Sequence, residues 1–165
     1  LGDVYKRQAY NLSADSWSGF FGQNNNWYSG SNNTTYYLQD NWVAATYTNS
    51  YTTLLSSWKK IKQESEKTET PEIFALAQIL KISAWHKTLE SFGPIPYTHA
   101  GEPALVIPFD SEQVAFNAMF TDLTAAIDIL TVRAEQGATI VADYDAVYAG
   151  DTRKWVKYAL SLIHI

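Results

Sequence analysis

The sequence has no cysteine, so disulfide staples and thiolate metal sites are excluded. It is short of positive charge: 12 Lys and Arg stand against 17 Asp and Glu, a net charge of -5. That balance excludes a nucleic-acid-binding domain, which needs a basic face to neutralise phosphates. Charge of both signs is modest, 18% against 46% hydrophobic residues, which marks a globular rather than a disordered chain. No uninterrupted apolar run approaches the roughly 20 residues that cross a bilayer. The catalytic signatures that can be read from spelling are missing too: there is no glycine-rich phosphate loop, no nucleophile elbow and no HExxH. No cofactor or metal site is expected.

What the sequence does have is aromatic residues, 15% of the chain, and their placement is uneven. Residues 9–40 interleave Trp17, Phe20, Phe21, Trp27, Tyr28, Tyr36 and Tyr37 with Asn24, Asn25, Asn26, Asn32 and Asn33. Asn and Gly tolerate positive φ, and Asn bonds its own backbone, so this stretch reads as a long loop with one short helix. A loop of this length is often a functional one. Exposed Trp and Tyr stack on the apolar faces of sugar rings, while Asn and Ser exchange hydrogen bonds with hydroxyls. Trp17, Trp27, Tyr28 and Asn25 are the ligand-binding candidates; the competing reading is that these aromatics plug the loop onto the helices.

The rest is helical. Tyr47, Tyr51, Leu54, Leu55, Trp58 and Ile61 recur at helical spacing and predict one helix over 41–67, capped by Asp40 or Asn41. Thr70-Pro71-Glu72 predicts a second, with Thr70 as cap and Pro71 at the first turn. It is buried on two faces, Ile73, Ala77, Leu80 and Ala84 on one, Phe74, Lys81, Trp85 and Leu89 on the other. Phe92-Gly93-Pro94-Ile95-Pro96-Tyr97 ends it, because two prolines remove two donors and hold the residues before them out of the α region. Asp110 with Gln113 reads as a capping box. The third helix then runs to about Glu135, with an apolar stripe of Phe116, Phe120, Leu123, Ile127 and Leu130. Gly137 closes it, 143–150 is turn-rich, and Asp151 caps a fourth helix carrying Trp155 and Tyr158. The fold class is all-α, with helical hairpins of tetratricopeptide-like type and a long aromatic, Asn-rich loop.

Residues that mimic catalytic groups have plainer readings. His86 is a packed helical histidine rather than half of a metal pair with Glu90. His99 is a polar loop residue. Asp143 and Asp145 are turn residues rather than the two carboxylates of a glycosidase.

Three motifs carry a family resemblance. FGPIPYTHAG at 92–101 is similar to the Y/F-G-x-I-P-Y-S-x-A element of the SusD/RagB outer-membrane nutrient-binding lipoproteins. FNAMFTDLTAAIDIL at 116–130 resembles their Y-x-x-I-x-x-D-L-x-x-A-I-x-x-L helix. DYDAVYAGDTRKWVKYA at 143–159 resembles D-x-x-Y-x-G-D-x-x-K-W-x-K-F/Y-A-N-S-L. Pro94 stands where many members carry Asp, and Leu160 where the pattern has Asn. The strings at 1–8 and 160–165 resemble translated sequencing-adapter read-through, so 9–159 is expected to be a partial SusD-like helical domain, a fragment of a larger α-rich protein with non-native ends. The resemblance implies non-catalytic capture of a glycan or peptide at the cell surface. It also implies delivery to a SusC-like TonB-dependent transporter, and an outward-facing position on the outer membrane through an N-terminal lipid. Within the motifs, Asp122 and Lys154-Trp155 are expected to tie helices together. The alternative reading of the same helices is a protein-interaction scaffold that binds no nutrient.

Overall fold

The computed structural model describes residues 14–22, 25 and 27–164, and for Trp27 and Tyr28 the backbone only. The chain divides into two compact units, Leu1–Leu54 and Leu55–Ile165. The described residues are helical or looped, with isolated β-bridges only.

In the first unit, α1 is a single turn, Ala14–Trp17. Short 3-10 turns follow at Trp27–Gly30 and Asn33–Thr35. α2 spans Asp40–Asn49. Its N-cap is Gln39, which makes no side-chain cap bond, so neither Asp40 nor Asn41 plays the expected part. The helix predicted as one over 41–67 is divided: α2 passes into a π-helical turn at Ser50–Leu54, and the next α-helix begins at Leu55. The local cause is a run of hydroxyl residues. Ser50 Oγ donates to Thr46 O at 2.9 Å and Thr52 Oγ1 to Thr48 O at 2.8 Å. Such back-bonding bends helices and admits an irregular turn.

In the second unit, α3 (Leu55–Lys67) and α4 (Pro71–Phe92) form a hairpin. Pro71 sits in the first turn as expected, but Thr70 makes no cap bond; its hydroxyl pairs with that of Thr68 at 2.7 Å. α4 is the central helix, buried from Ala75 to Leu89 on most sides. Leu80 is an exception to the expected faces, at 44% exposed. α5 (Glu112–Glu135) packs on α4, and α6 (Thr152–Ile163) packs on α5. By length and mean hydropathy α5 would suffice to cross a membrane, but it packs between two other helices and carries Asp122 and Asp128.

The face that α5 buries coincides only in part with the one its large residues trace. Ala115, Met119, Leu123, Ala126, Leu130 and Ala134 are buried, whereas Phe120 is 40% exposed and Phe116 and Ile127 are half-buried. Small residues let α4 and α6 approach closely, so the interface takes the alanine side. Phe116 and Phe120 stack on one another with centroids 6.3 Å apart.

Two junctions hold this unit. Gly93 ends α4 at φ 73°, and the chain runs extended through Ile95, which is fully buried and pairs with Asp110. At the other junction Gly150 has φ 77°, and a Cβ there would sit 2.6 Å from the carbonyl oxygen of Ile140. Only glycine fits this position.

Candidate functional site

The sequence places its ligand candidates in the first unit, and there the local chemistry is turn chemistry. Asn32 is buried and accepts from Thr34 N at 3.0 Å and Thr34 Oγ1 at 2.6 Å, while Thr35 Oγ1 accepts from Asn32 N at 3.3 Å. This closed box holds Tyr36 in the left-handed region, φ 57°. The turn is tied to α1 twice: Asn33 Nδ2 donates to Ser16 Oγ at 2.7 Å, and Tyr36 OH donates to Trp17 O at 2.9 Å. Trp17 is half-buried, and its buried indole N–H has no acceptor among the described residues.

The structure thus brings Trp17 and Tyr36 together. Asn25 is exposed in a bend. Trp27 and Tyr28 lie in a 3-10 turn whose side chains fall outside the described residues. The exposed aromatics of the first unit's loop are Phe20, at 85%, Phe21, Tyr36, at 68%, and Tyr37. Sequence reasoning counted these four in the loop but did not choose them. Their legible signal is that each sits among Gly, Asn, Gln and Thr, with little apolar surface nearby in sequence to cover a ring.

The second unit holds the three motifs, and there the polar residues are structural. Asp110 does not cap α5; Ser111 does, accepting from Val114 N at 3.3 Å. Asp110 instead accepts from Tyr97 N (2.8 Å), Thr98 N (2.7 Å) and Thr98 Oγ1 (2.8 Å). Burial pushes its carboxyl up, but these bonds from Thr98 and Tyr97 outweigh it and leave it below the usual aspartate range. Asp122 accepts from Tyr97 OH at 2.7 Å, tying α5 to the exit segment as expected. Burial first, then the charge of Asp122 and its bond, raise the Tyr97 phenol well above its ordinary value.

Asp145 is a second hub. It accepts from Val147 N, Tyr148 N and Gly150 N, and from Trp155 Nε1 at 2.6 Å. Partial burial pushes it up, and the bonds from Trp155 and the three amides more than reverse this. With its oxygens so engaged, Asp145 is a turn residue and not half of an acid pair. Asp151 caps α6 through Arg153 N and Lys154 N. Trp155 ties helix to turn, but Lys154 reaches only Asp151, 3.7 Å away on the surface.

The histidines do structural or surface work. His86 is buried with Nδ1 2.9 Å from Ile82 O. His99 sits exposed with Nδ1 2.9 Å from Glu102, whose bond and charge raise its pKa. Among the described residues no group of three His, Asp or Glu is placed to hold a metal ion. A shallow apolar depression between α4, α5 and α6, lined by Ile82, His86, Phe116, Phe120 and Leu162, has almost no polar lining to orient a sugar.

Residues 4–163 match the family model described as SusD-like, Susd and RagB outer membrane lipoprotein. The chain belongs to the SusD/RagB family. A chitin-binding SusD homologue from Flavobacterium johnsoniae superposes with a TM-score of 0.83 at 32% identity, over 96% of this chain and 33% of that one. A SusD homologue from Bacteroides uniformis gives 0.68 at 35% identity, over 75% and 26%. A SusD-like protein from Bacteroides thetaiotaomicron gives 0.70 at 31%, over 77% and 26%. The chain therefore spans about a quarter to a third of the length of these SusD relatives. No curated protein matches it. The all-α fold is that of the SusD/RagB family.

Proposed function

We propose that this chain is part of a non-catalytic glycan-capture protein of the outer membrane, and that its aromatic loop contacts the sugar. The observation that carries the reading is the chitin-binding SusD homologue, which matches 96% of the chain at 32% identity. The outer-membrane lipoprotein description of the family supports the location. Outward orientation, an N-terminal lipid and delivery to a SusC-like TonB-dependent transporter complete the proposal, with a peptide as the other ligand class. Trp17, Trp27 and Tyr28 supply ring faces and Asn25 a hydrogen-bonding amide. Tyr36 and Phe20, exposed beside Trp17, extend the platform.

The test is calorimetric titration of the chain with N-acetylglucosamine oligomers and with a panel of other oligosaccharides and peptides. Binding to one class, weakened about tenfold or more by Trp27→Ala or Tyr36→Ala, is the expected result. Binding that is indifferent to every one of these aromatics would remove the loop from the site. A second reading, a helical interaction scaffold, is favoured by the exposed Leu105, Val106 and Phe109 between α4 and α5. Co-purification with a protein partner, together with no glycan or peptide affinity, would select it.

A further inference from the structure

Between α4 and α5 the chain crosses an apolar segment that the helices do not cover. Leu105 is 103% exposed, Val106 80% and Phe109 64%. Large apolar side chains exposed together, rather than singly, mark a contact surface. The segment is held at both ends. At its start Lys59 Nζ donates to Gly101 O, and Ala104 N donates to Glu102 O. At its end Asp110 N donates to Ile95 O at 3.0 Å, while the Asp110 carboxylate accepts from Tyr97 and Thr98.

The backbone between these ends is an open edge. Among the described residues, the amides of Leu105, Val106, Ile107 and Phe109 find no acceptor in the protein. Ile95 and Asp110 form an antiparallel bridge, and residues 107–109 lead into it without turn or bend. Along an extended chain successive N–H groups point to opposite sides. The Asp110 N–H points at Ile95, so those of Ile107 and Phe109 point away from the exit segment. The inward position between them falls to Pro108, which has no N–H to leave unmet.

The charge along this stretch has one sign. No Lys or Arg stands in sequence between Lys87 and Arg133, whereas Glu102, Asp110 and Glu112 flank the segment. Lys59 is bonded to the Gly101 carbonyl, and His99 is paired with Glu102. A lipid surface would cover the apolar side chains but offers no row of backbone groups to a strand edge. An extended polypeptide offers both: main-chain partners for Ile107 and Phe109, and side chains to cover Leu105, Val106 and the Phe109 ring.

We propose that residues 105–109 are a docking edge for an extended, basic-flanked segment of a partner protein, which adds as a strand along Ile107 and Phe109. Glu102 and Glu112 face the partner's basic flanks. The inference does not rest on glycan capture, since none of these residues belongs to the aromatic loop.

The probe is a labelled synthetic peptide, Lys-Lys-Val-Thr-Val-Thr-Val-Lys-Lys, titrated with the full chain by fluorescence anisotropy. Saturable binding is expected, weakened about tenfold or more by the double substitution Leu105→Ser with Phe109→Ser. Both positions are exposed, so an unchanged thermal unfolding curve should accompany that loss. The same peptide methylated on every backbone nitrogen keeps its side chains but donates no main-chain bond, and it should also bind about tenfold or more weakly. Exchanging its terminal lysines for glutamates should weaken it further in the same direction as added salt does. No saturable binding, or binding that survives either the double substitution or the methylation, overturns the proposal. Adsorption to phosphatidylcholine vesicles that the double substitution removes would make the segment a membrane contact instead. Dimerisation in sedimentation equilibrium, removed by the same substitution, would make its partner a second copy; either result overturns the proposal.

Discussion

In residues 32–36 the bonds that Asn32 exchanges with Thr34 and Thr35 close within three residues, and only the neutral Asn33–Ser16 and Tyr36–Trp17 bonds, described above, carry the turn to α1. In the second unit the carboxylates reach much further: Asp145 crosses 10 residues to Trp155, Asp110 13 to Tyr97, and Asp122 25 to Tyr97. The difference separates two ways of using polar groups. Local bonds fix the shape of a turn and leave its outside free to carry exposed rings such as Phe20 and Tyr36. Long-range bonds join elements, and each residue in them is accountable to a partner elsewhere. Asp110, Asp122 and Asp145 fall in the second class, and the Asn32 turn falls in the first.

The comparison can be broken most sharply at Trp85. Trp85→Ala, a fully buried indole, should cost about 3–5 kcal/mol, read from urea unfolding of the chain. Gly150→Ala should come next at about 3 kcal/mol, since positive φ and the Ile140 carbonyl both oppose a Cβ. Asp145→Ala should cost about 2 kcal/mol by orphaning Trp155 Nε1 and three amides. Acid should act on the same hubs. Asp110 and Asp145 sit below the ordinary carboxylate value of 3.8. Their contribution is therefore complete above that value and is lost as the pH falls through their lowered pKa values in the folded chain. Asp110→Asn and Asp145→Asn should flatten the acid limb of an unfolding midpoint measured from pH 6 to 2. The smallest effects belong to the other unit. Phe20→Ala and Tyr36→Ala should leave stability within about 0.5 kcal/mol, so any loss of glycan binding there is a loss of contact.

Much of the helical skeleton was legible. Pro71 and Gly93 bracket α4 because one residue lacks the donor a first turn does not need, and the other accepts positive φ. Asp151 capped α6 as expected because its carboxylate lies within two and three residues of the amides it bonds. Asp110 was misread as a cap for the opposite reason. It and Ser111 both suit that position locally, and the choice was made by free N–H groups at Tyr97 and Thr98, which no local window contains. The α5 stripe held at Leu123 and Leu130 but slipped at its phenylalanines for a similar reason. Apolar periodicity follows the large residues Phe116 and Phe120, whereas close helix contact follows Ala115 and Ala126, a rotation of one position. Lys81 was placed on an inward face by its spacing, but nothing in the spacing names the three rings around it. In the aromatic loop the expected short helix is present at Ala14–Trp17. The pairing of Trp17 with Tyr36 spans 19 residues of irregular chain.

The sequence by itself determined the bounds of α4 and the start of α6, and the all-α class of the fold. All of these rest on forces that act within a few residues: proline and glycine geometry, capping, and helical spacing. Only the tertiary structure decided which carboxylate serves which amide, which side of α5 is inside, and that Lys81 lies among three aromatic rings. Those outcomes depend on which distant surfaces meet, and burial then fixes how strongly each charge and donor is felt.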